Sequence, residues 1–281
     1  MNRLSCLVGC MLLAASLAAS ALPQDGPGGL SAAEIVERNA AARGGVPAWQ
    51  KLQTLAWAGH TEISAVPGRQ MTFLLEQKRP NKTRFEITAE GQRSLRVYDG
   101  STGWKMRPNS SNGRPDVQAY SEEELRFARG AQVIDGPLMD YVAKGGVVTL
   151  TGSGQVDGQR AYILDVKLPS GGSHTVWVDA QTFLDVRHDR QVRGASGQMG
   201  MVTVLLRDYR EFEGLTMPTV VETGSAPGRP SSRLVIERVA LNPPLEDSVF
   251  TRPMAPLSRR AGVVVDTRGA AAPPPRPTLQ P

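Results

Sequence analysis

Apolar and polar residues alternate with a period of two along most of the chain after Leu52. Such alternation places successive side chains on opposite faces of an extended strand. Turn residues such as Pro67-Gly68 and Pro80-Asn81 separate the runs too closely for crossover helices, which favours antiparallel pairing. The alternating runs are 52–63, 71–75, 84–87, 95–97, 147–151, 160–168, 174–180, 183–193, 199–209, 216–223 and 232–241. The pattern therefore predicts a mainly β (α+β) fold with an antiparallel meander of about eleven strands.

The start of the chain carries a helix signal before the first strand. Ser31 with Glu34 forms a capping box, in which each side chain satisfies a free backbone N–H of the first turn. Gly44-Gly45 supplies the stop. We therefore expect a helix over 32–43, followed by a short helical turn over 46–51.

The strand pattern is interrupted once, in the middle of the chain. A second capping box at 121–124 predicts a short helix. Pro137 then stands where a first helical residue would, and Leu138, Tyr141 and Val142 follow at helical spacing. This second helix is predicted to cover part of the sheet, with flanking glycines as hinges.

Both ends of the chain differ in composition from the part between them. The N-terminus has a basic start, an apolar run and small residues at 19–21, the layout of a secretory signal peptide. The far end is rich in Ala and Pro, which cannot pair in a sheet. The predicted segments are a signal peptide (1–21), a flexible leader (22–30), one β domain (31–255) and a disordered tail (256–281).

Composition narrows the possible partners. Cys6 and Cys10 both fall in the predicted leader, so the mature domain is expected to lack disulfides and thiolate sites. The formal charge is +5, from 32 basic and 27 acidic residues that are interspersed along the chain. Few aromatics and no basic stripe argue against nucleic acid as a partner. We expect a monomer of the periplasm with at most peripheral membrane contact.

Catalytic motifs are not evident. His174 and His188 could meet on a hairpin, but no metal-binding spacing accompanies them. The Gly-Ser stretches 152–154 and 194–197 miss the nucleophile-elbow pattern and are typical of hairpin loops. Asp and Glu residues on the strands are most simply explained as the solvent-exposed face of the sheet. The sequence therefore predicts no enzyme, no cofactor and no metal.

Large apolar residues stand on strands that only a few short helices can cover. A strongly curved sheet with amphipathic helices over its open side can enclose an apolar cavity. Alternatively, these side chains simply fill the interior of a structural or interaction module, and a hydrolase site assembled from loops is a third reading. The residues predicted to line the cavity are Trp57, Phe73, Leu75, Phe85, Ile87, Leu95, Val97, Trp104, Met106, Leu138, Tyr141 and Val142.

Short motifs in a fixed order resemble a known family. They are Ala42-Arg43-Gly44-Gly45 with Trp49, Arg79-Pro80 with Arg84 and Glu86, Tyr98-Asp99-Gly100 with Gly103-Trp104, the stretch 138–145, Gly158-Gln159 with Ala161-Tyr162, Val178-Asp179 with Thr182, Asp208-Tyr209-Arg210 with Gly214-Leu215, and Asn242-Pro243 with Phe250. Together they cover about 31–253. In this order they resemble the LolA/LolB-like outer-membrane lipoprotein-sorting superfamily, in its broader uncharacterised branch.

The resemblance implies an eleven-stranded, half-open barrel closed by helices, with an apolar cavity for acyl chains. It implies a periplasmic binding or carrier protein for acyl chains of a lipid or a lipoprotein, with an envelope protein as a possible partner. Burial of an acyl chain is worth about 0.8 kcal/mol per methylene, so a partly enclosed chain binds without any catalysis. A non-catalytic cell-envelope module with a filled interior is the alternative.

Overall fold

The computed structural model describes residues 29–69, 71–109, 114–130, 134–169, 173–193, 199–225 and 230–253. The predicted signal peptide (1–21), most of the predicted leader (22–30) and the predicted tail (256–281) lie outside these residues. In the part of the chain that is described, no helix is both long enough and apolar enough to cross a membrane.

The two N-terminal helices are α1 (Ala32–Ala42) and α2 (Val46–Lys51), close to the predicted bounds. The predicted capping box is present: the Glu34 N–H donates to Ser31 Oγ at 3.3 Å, and the Ser31 N–H donates to Glu34 Oε2 at 2.8 Å. Gly44 and Gly45 take positive φ angles of 105° and 86°, which turn the chain from one helix into the next.

The strands form one antiparallel sheet. They are β1 (Thr54–Ile63), β2 (Met71–Lys78), β3 (Lys82–Ala89), β4 (Gln92–Tyr98), β5 (Gly103–Arg107), β6 (Asp116–Ala119), β7 (Val147–Val156), β8 (Gln159–Lys167), β9 (Ser173–Asp179), β10 (Asp185–Arg193), β11 (Met199–Phe212), β12 (Leu215–Gly224) and β13 (Ser232–Leu241). Their order in the sheet is β6-β5-β4-β3-β2-β1-β13-β12-β11-β10-β9-β8-β7. The chain thus runs outward from β1 to one edge, crosses to the other edge, and returns to β13 beside β1.

The mainly β, antiparallel fold is confirmed, and the predicted number of strands is wrong. The sheet has 13 strands where eleven were expected. The two additional strands, β5 and β6, have five and four residues, too few to display a reliable alternation. Within the described residues the edge strands β6 and β7 are not paired with each other, so the sheet is not closed into a barrel.

Helices α1 and α2 cover one face of this sheet, which we call the concave face. Ile35 and Val36 of α1 pack on Leu164 and Val176 of β8 and β9. Trp49 of α2 packs in a second cluster, over the ends of β1 and β12. Because residues paired across antiparallel strands project to the same face, the register assigns every other side chain to this face or to the opposite, convex face.

The third helix, α3 (Glu122–Gly130), shows how strongly the sheet is curved. Glu124 lies 3.0 Å from the Arg96 guanidinium on β4, whereas the Phe127 ring centroid lies 4.1 Å from Arg190 Cζ on β10. Seven strand spacings separate β4 from β10, which is about 33 Å on a flat sheet, while one helical turn advances about 5 Å. The sheet therefore bends around α3, which bridges the concave face.

Candidate functional site

Five of the twelve predicted site residues lie together on the concave face. Trp57 on β1 pairs with Leu75 on β2, and Leu75 in turn pairs with Phe85 on β3. Phe73 pairs with Ile87, and the Phe73 and Phe85 ring centroids are 6.1 Å apart. Phe73 is buried, but the other four are only half-buried. Together they form an apolar surface that the helices do not cover completely.

The apolar surface continues onto strands that the sequence did not assign to the site. Leu206 on β11, Val221 on β12 and Leu234 on β13 form one cross-strand row that ends at Thr61 on β1. The three apolar members are half-buried. Their strands were predicted from alternation, but alternation alone does not reveal which face of a strand meets the concavity.

Four predicted site residues lie on the convex face, so their assignment to the cavity is wrong. They are Leu95, Val97, Trp104 and Met106. Phe85 pairs with Arg96, and the apolar residues on either side of Arg96 consequently project away from Phe85. Leu95, Val97 and Met106 are buried because Leu245 and Phe250 of the C-terminal segment pack on them from outside.

The remaining three predicted residues lie in the connecting segment (134–146), which is a run of turns and not the predicted α-helix. Asp140 interrupts it with a φ of +52°, outside the right-handed helical region. Leu138 is fully buried beneath α1, and Tyr141 packs partly against the same cluster. Val142 is 70% exposed, so the three do not share one apolar stripe.

An open apolar groove separates the connecting segment from the helices. It has a volume of about 430 Å³. Val36 and Ala40 of α1, Pro47 of α2, and Tyr141 and Val142 line it. The connecting segment, which was predicted to cover the cavity, thus borders this groove, and Val142 is accessible there.

Buried charges fix the connecting segment to the rest of the molecule. The Asp135 carboxylate lies 2.9 Å from Arg79 Nη2 and 2.7 Å from Lys144 Nζ. Arg43 Nη1 donates to the Asp135 carbonyl oxygen at 3.0 Å. Burial lowers the pKa of Lys144, although the Asp135 carboxylate opposes that shift. The contacts hold the segment by ion pairs in addition to apolar packing.

A second buried carboxylate fixes α1 to the sheet. Asp185 at the start of β10 accepts a hydrogen bond from Asn39 Nδ2 at 2.6 Å and lies 3.2 Å from His188 Nε2. Arg43 Nη1 is 3.7 Å away. Burial works against ionisation, yet the His188 hydrogen bond and the Arg43 charge keep the pKa of Asp185 below its usual value. The carboxylate is therefore part of the scaffold that positions α1.

The bridging helix α3 is anchored through Glu124. Lys105 Nζ on β5 donates to both oxygens of its carboxylate, at 3.1 and 3.0 Å, and Arg96 Nη2 donates at 3.0 Å. Burial works against ionisation, but the Ser121 N–H and these two cations lower the pKa of Glu124 to about 2. The anchor therefore remains ionised at any physiological pH.

The chemistry of the concave face is that of an apolar binding surface. Within the described ranges, no group of three or more His, Cys, Asp or Glu side chains could hold a metal ion. Within those ranges, the buried indole Nε1 of Trp57 also has no hydrogen-bond partner. An unpaired donor beside half-buried apolar side chains is suited to contact with a bound molecule.

Comparisons with known proteins bear on the fold. No protein-family model matches the sequence, and a search of curated proteins finds no match. Among solved structures, a LolA superfamily protein from Nitrosomonas europaea matches at a TM-score of 0.50 and 16% identity, over 79% of this chain and 98% of that one. A DUF1329 family protein from Desulfovibrio piger matches at 0.47 and 16%, over 78% and 97% of the two chains.

A third match is to a domain described as outer membrane lipoprotein-sorting, from Vibrio parahaemolyticus. It has a TM-score of 0.49 and 11% identity, over 77% of this chain and 94% of that one. The match to the Nitrosomonas protein confirms the LolA-like fold that the motif order indicated. At 16% identity it establishes the fold alone.

Proposed function

We propose that this LolA-like chain is a periplasmic binding or carrier protein that holds acyl chains of a lipid or a lipoprotein on its concave face. The half-buried apolar side chains on that face carry the proposal. Trp57, Leu75, Phe85 and Ile87 on one side, and the row of Leu206, Val221 and Leu234 on the other, keep accessible apolar area. Large accessible apolar patches on a protein surface mark sites of interaction.

Burial of an acyl chain supplies enough free energy for a carrier to bind it without catalysis. Each buried methylene contributes about 0.8 kcal/mol, so ten of them supply about 8 kcal/mol before the costs of ordering. Such binding needs no reacting group, and none is proposed. The expected product of export is the mature domain, free of the signal peptide and acting as a monomer that contacts membranes peripherally.

Two adjacent leucines on β2 provide a matched test. Leu75 lies on the concave face and pairs with Trp57, whereas Leu74 lies on the convex face and pairs with Ala58. Both are half-buried. Leu75→Ser is expected to weaken binding of a fluorescent fatty acid by about tenfold or more, because a polar group replaces apolar contact worth about 1.5–3 kcal/mol. Leu74→Ser, with a similar cost to stability, should leave binding within about twofold.

Equal loss in both variants would show that the binding tracks stability and not the concave face. Failure of the wild-type mature protein to bind any acyl probe saturably would reject the carrier function. The non-catalytic envelope module with a filled interior would then be the better account.

A further inference from the structure

The concave face carries an arginine that its surroundings do not neutralise. Arg190 on β10 pairs with His174 on β9 and with Val202 on β11. His174 stands two residues before Val176, which is buried beneath α1. Because residues two apart on a strand share a face, Arg190 and His174 both project toward the concavity.

The immediate contacts of Arg190 leave its charge without a counter-ion. Its guanidinium lies over the Phe127 ring of α3, with Cζ 4.1 Å from the centroid. Within the described ranges, the buried Nε has no hydrogen-bond partner and no carboxylate forms an ion pair with Arg190. The six internal stretches outside those ranges contain no Asp or Glu. Burial lowers the pKa of Arg190 with no opposing contribution from an acid.

The acidic residues of β10 are already engaged elsewhere. Asp185 is held by Asn39, His188 and Arg43. Asp189 lies on the convex face, where it accepts hydrogen bonds from three other residues, Trp177, Arg187 and Thr203. Burial, followed by the charges of His188 and Arg190, lowers the pKa of His174. The positive charge of the patch is therefore that of Arg190, with a neutral His174 imidazole beside it, and no acid within the described ranges compensates that charge.

An uncompensated, partly buried cation is costly unless an anion reaches it. Phe127 covers one flat side of the guanidinium and Nε is buried, so the two Nη groups are the donors that an acceptor can reach. Val202 and Val204 beside the patch are half-buried, and Leu206 continues from them into the apolar row. The Arg190 guanidinium and the apolar surface are thus contiguous.

We propose that Arg190, together with His174, binds the acidic headgroup of an amphiphile whose acyl chain lies along the apolar concave face. The occupant is a single-chain lipid with a carboxylate or a phosphate, the two anions that a guanidinium edge can receive with paired hydrogen bonds. This assignment rests on the proposed function, and it adds the headgroup class and the residue that selects it.

Three ligands that share a twelve-carbon chain test the assignment: dodecanoate, dodecyl phosphate and methyl dodecanoate. Each displaces a neutral naphthylamine probe from the mature protein, at concentrations below micelle formation. We expect one or both acids to bind about tenfold more tightly than the ester, because a hydrogen-bonded charge adds about that factor. The tighter of the two acids identifies carboxylate or phosphate as the preferred headgroup.

Variants separate the role of the charge from that of the fold. Arg190→Gln should remove the preference for acids while leaving ester binding within about twofold. Arg190→Lys should retain only part of the preference, because an ammonium keeps the charge but not the paired hydrogen bonds. Arg38→Gln is the control, since Arg38 is exposed on α1 and also lies over an aromatic ring, that of Phe183 at 5.2 Å. Arg38→Gln should change neither the affinity for the acids nor the affinity for the ester.

Equal binding of acid and ester by the wild type, or equal loss of both in Arg190→Gln, would overturn the headgroup assignment and leave the acyl-binding function in place. If no twelve-carbon ligand displaces the probe, the proposed function fails with it. The two failures are therefore distinguishable in one experiment.

Discussion

Replacement of Asp185 tests the scaffold beneath α1. Asp185 is 2% exposed, accepts a hydrogen bond from Asn39 at 2.6 Å and lies 3.7 Å from the Arg43 guanidinium. Asp185→Ala would leave the buried Arg43 charge without its carboxylate and Asn39 Nδ2 with one acceptor fewer. Removing one partner of a buried ion pair costs about 3–5 kcal/mol. We expect Asp185→Ala to lower the free energy of unfolding by that amount.

Urea denaturation of the mature protein measures the loss directly. Asp185→Asn keeps the shape and one acceptor, so its expected loss is smaller, about 1.5–3 kcal/mol. The control is Asp116→Ala on β6, an exposed residue for which the change should stay within about 0.5 kcal/mol. A loss below about 1 kcal/mol for Asp185→Ala would refute the view that this carboxylate holds α1 on the sheet.

The same carboxylate sets a pH dependence. The pKa of Asp185 in the folded protein is below its ordinary value of about 3.9. Its stabilising contribution is therefore complete above about pH 4 and is lost as the pH falls through the lower, folded-state pKa. Acid titration of wild type and Asp185→Asn should converge in stability at low pH. A difference that persists there would contradict the assigned ionisation.

Three further predictions follow from particular contacts. A Cβ on Gly59 would overlap the Val235 carbonyl oxygen beside the β1–β13 bulge, so Gly59→Ala should cost at least about 2 kcal/mol in urea unfolding; a negligible loss would contradict this register. The Glu124 carboxyl should titrate by NMR with a midpoint of about 2, and a midpoint near the ordinary 4.5 would show that α3 is not anchored across the concavity. Tyr141→Asp should weaken binding of a fatty acid while the β circular-dichroism signal stays intact. Val142→Asp, at a residue that is 70% exposed, should leave that binding unchanged. Equal effects of the two variants would show that the connecting segment does not cover the acyl-binding surface.

Local signals predicted the helices that begin with a capping box. Ser31–Glu34 and Ser121–Glu124 both form the expected reciprocal hydrogen bonds, because these contacts depend only on residues three apart. The helix predicted from Pro137 does not form: Asp140 takes a φ of +52°, and ion pairs of Asp135 with Arg79 and Lys144 hold a segment of turns in its place.

The sequence could not show that the predicted site residues are divided between the two faces of the sheet. Leu95 and Val97 alternate with polar neighbours as regularly as Phe85 and Ile87 do, and alternation identifies an apolar face without saying what covers it. Here the cover of Leu95 and Val97 comes from Phe250, more than 150 residues later in the chain.

Arg190 was missed because β10 has no continuous apolar face. Its strand, DVRHDRQVR, alternates charged residues with His188 and Val186 and so gives no apolar stripe. Only the pairing with His174 and the contact with Phe127 of α3 place the guanidinium on the concave face. Such a contact joins elements whose proximity depends on the curvature of the whole sheet.

The tryptophans offer the most direct test of acyl binding on the concave face. Trp57 is half-buried there, whereas Trp104 and Trp177 lie on the convex face and Trp49 is buried under α1 and α2. A fatty acid brominated along its chain quenches only the indoles it contacts. We predict saturable quenching of the mature protein that Trp57→Phe abolishes and Trp104→Phe preserves. Quenching that survives in Trp57→Phe, or its absence in the wild type, would contradict the account.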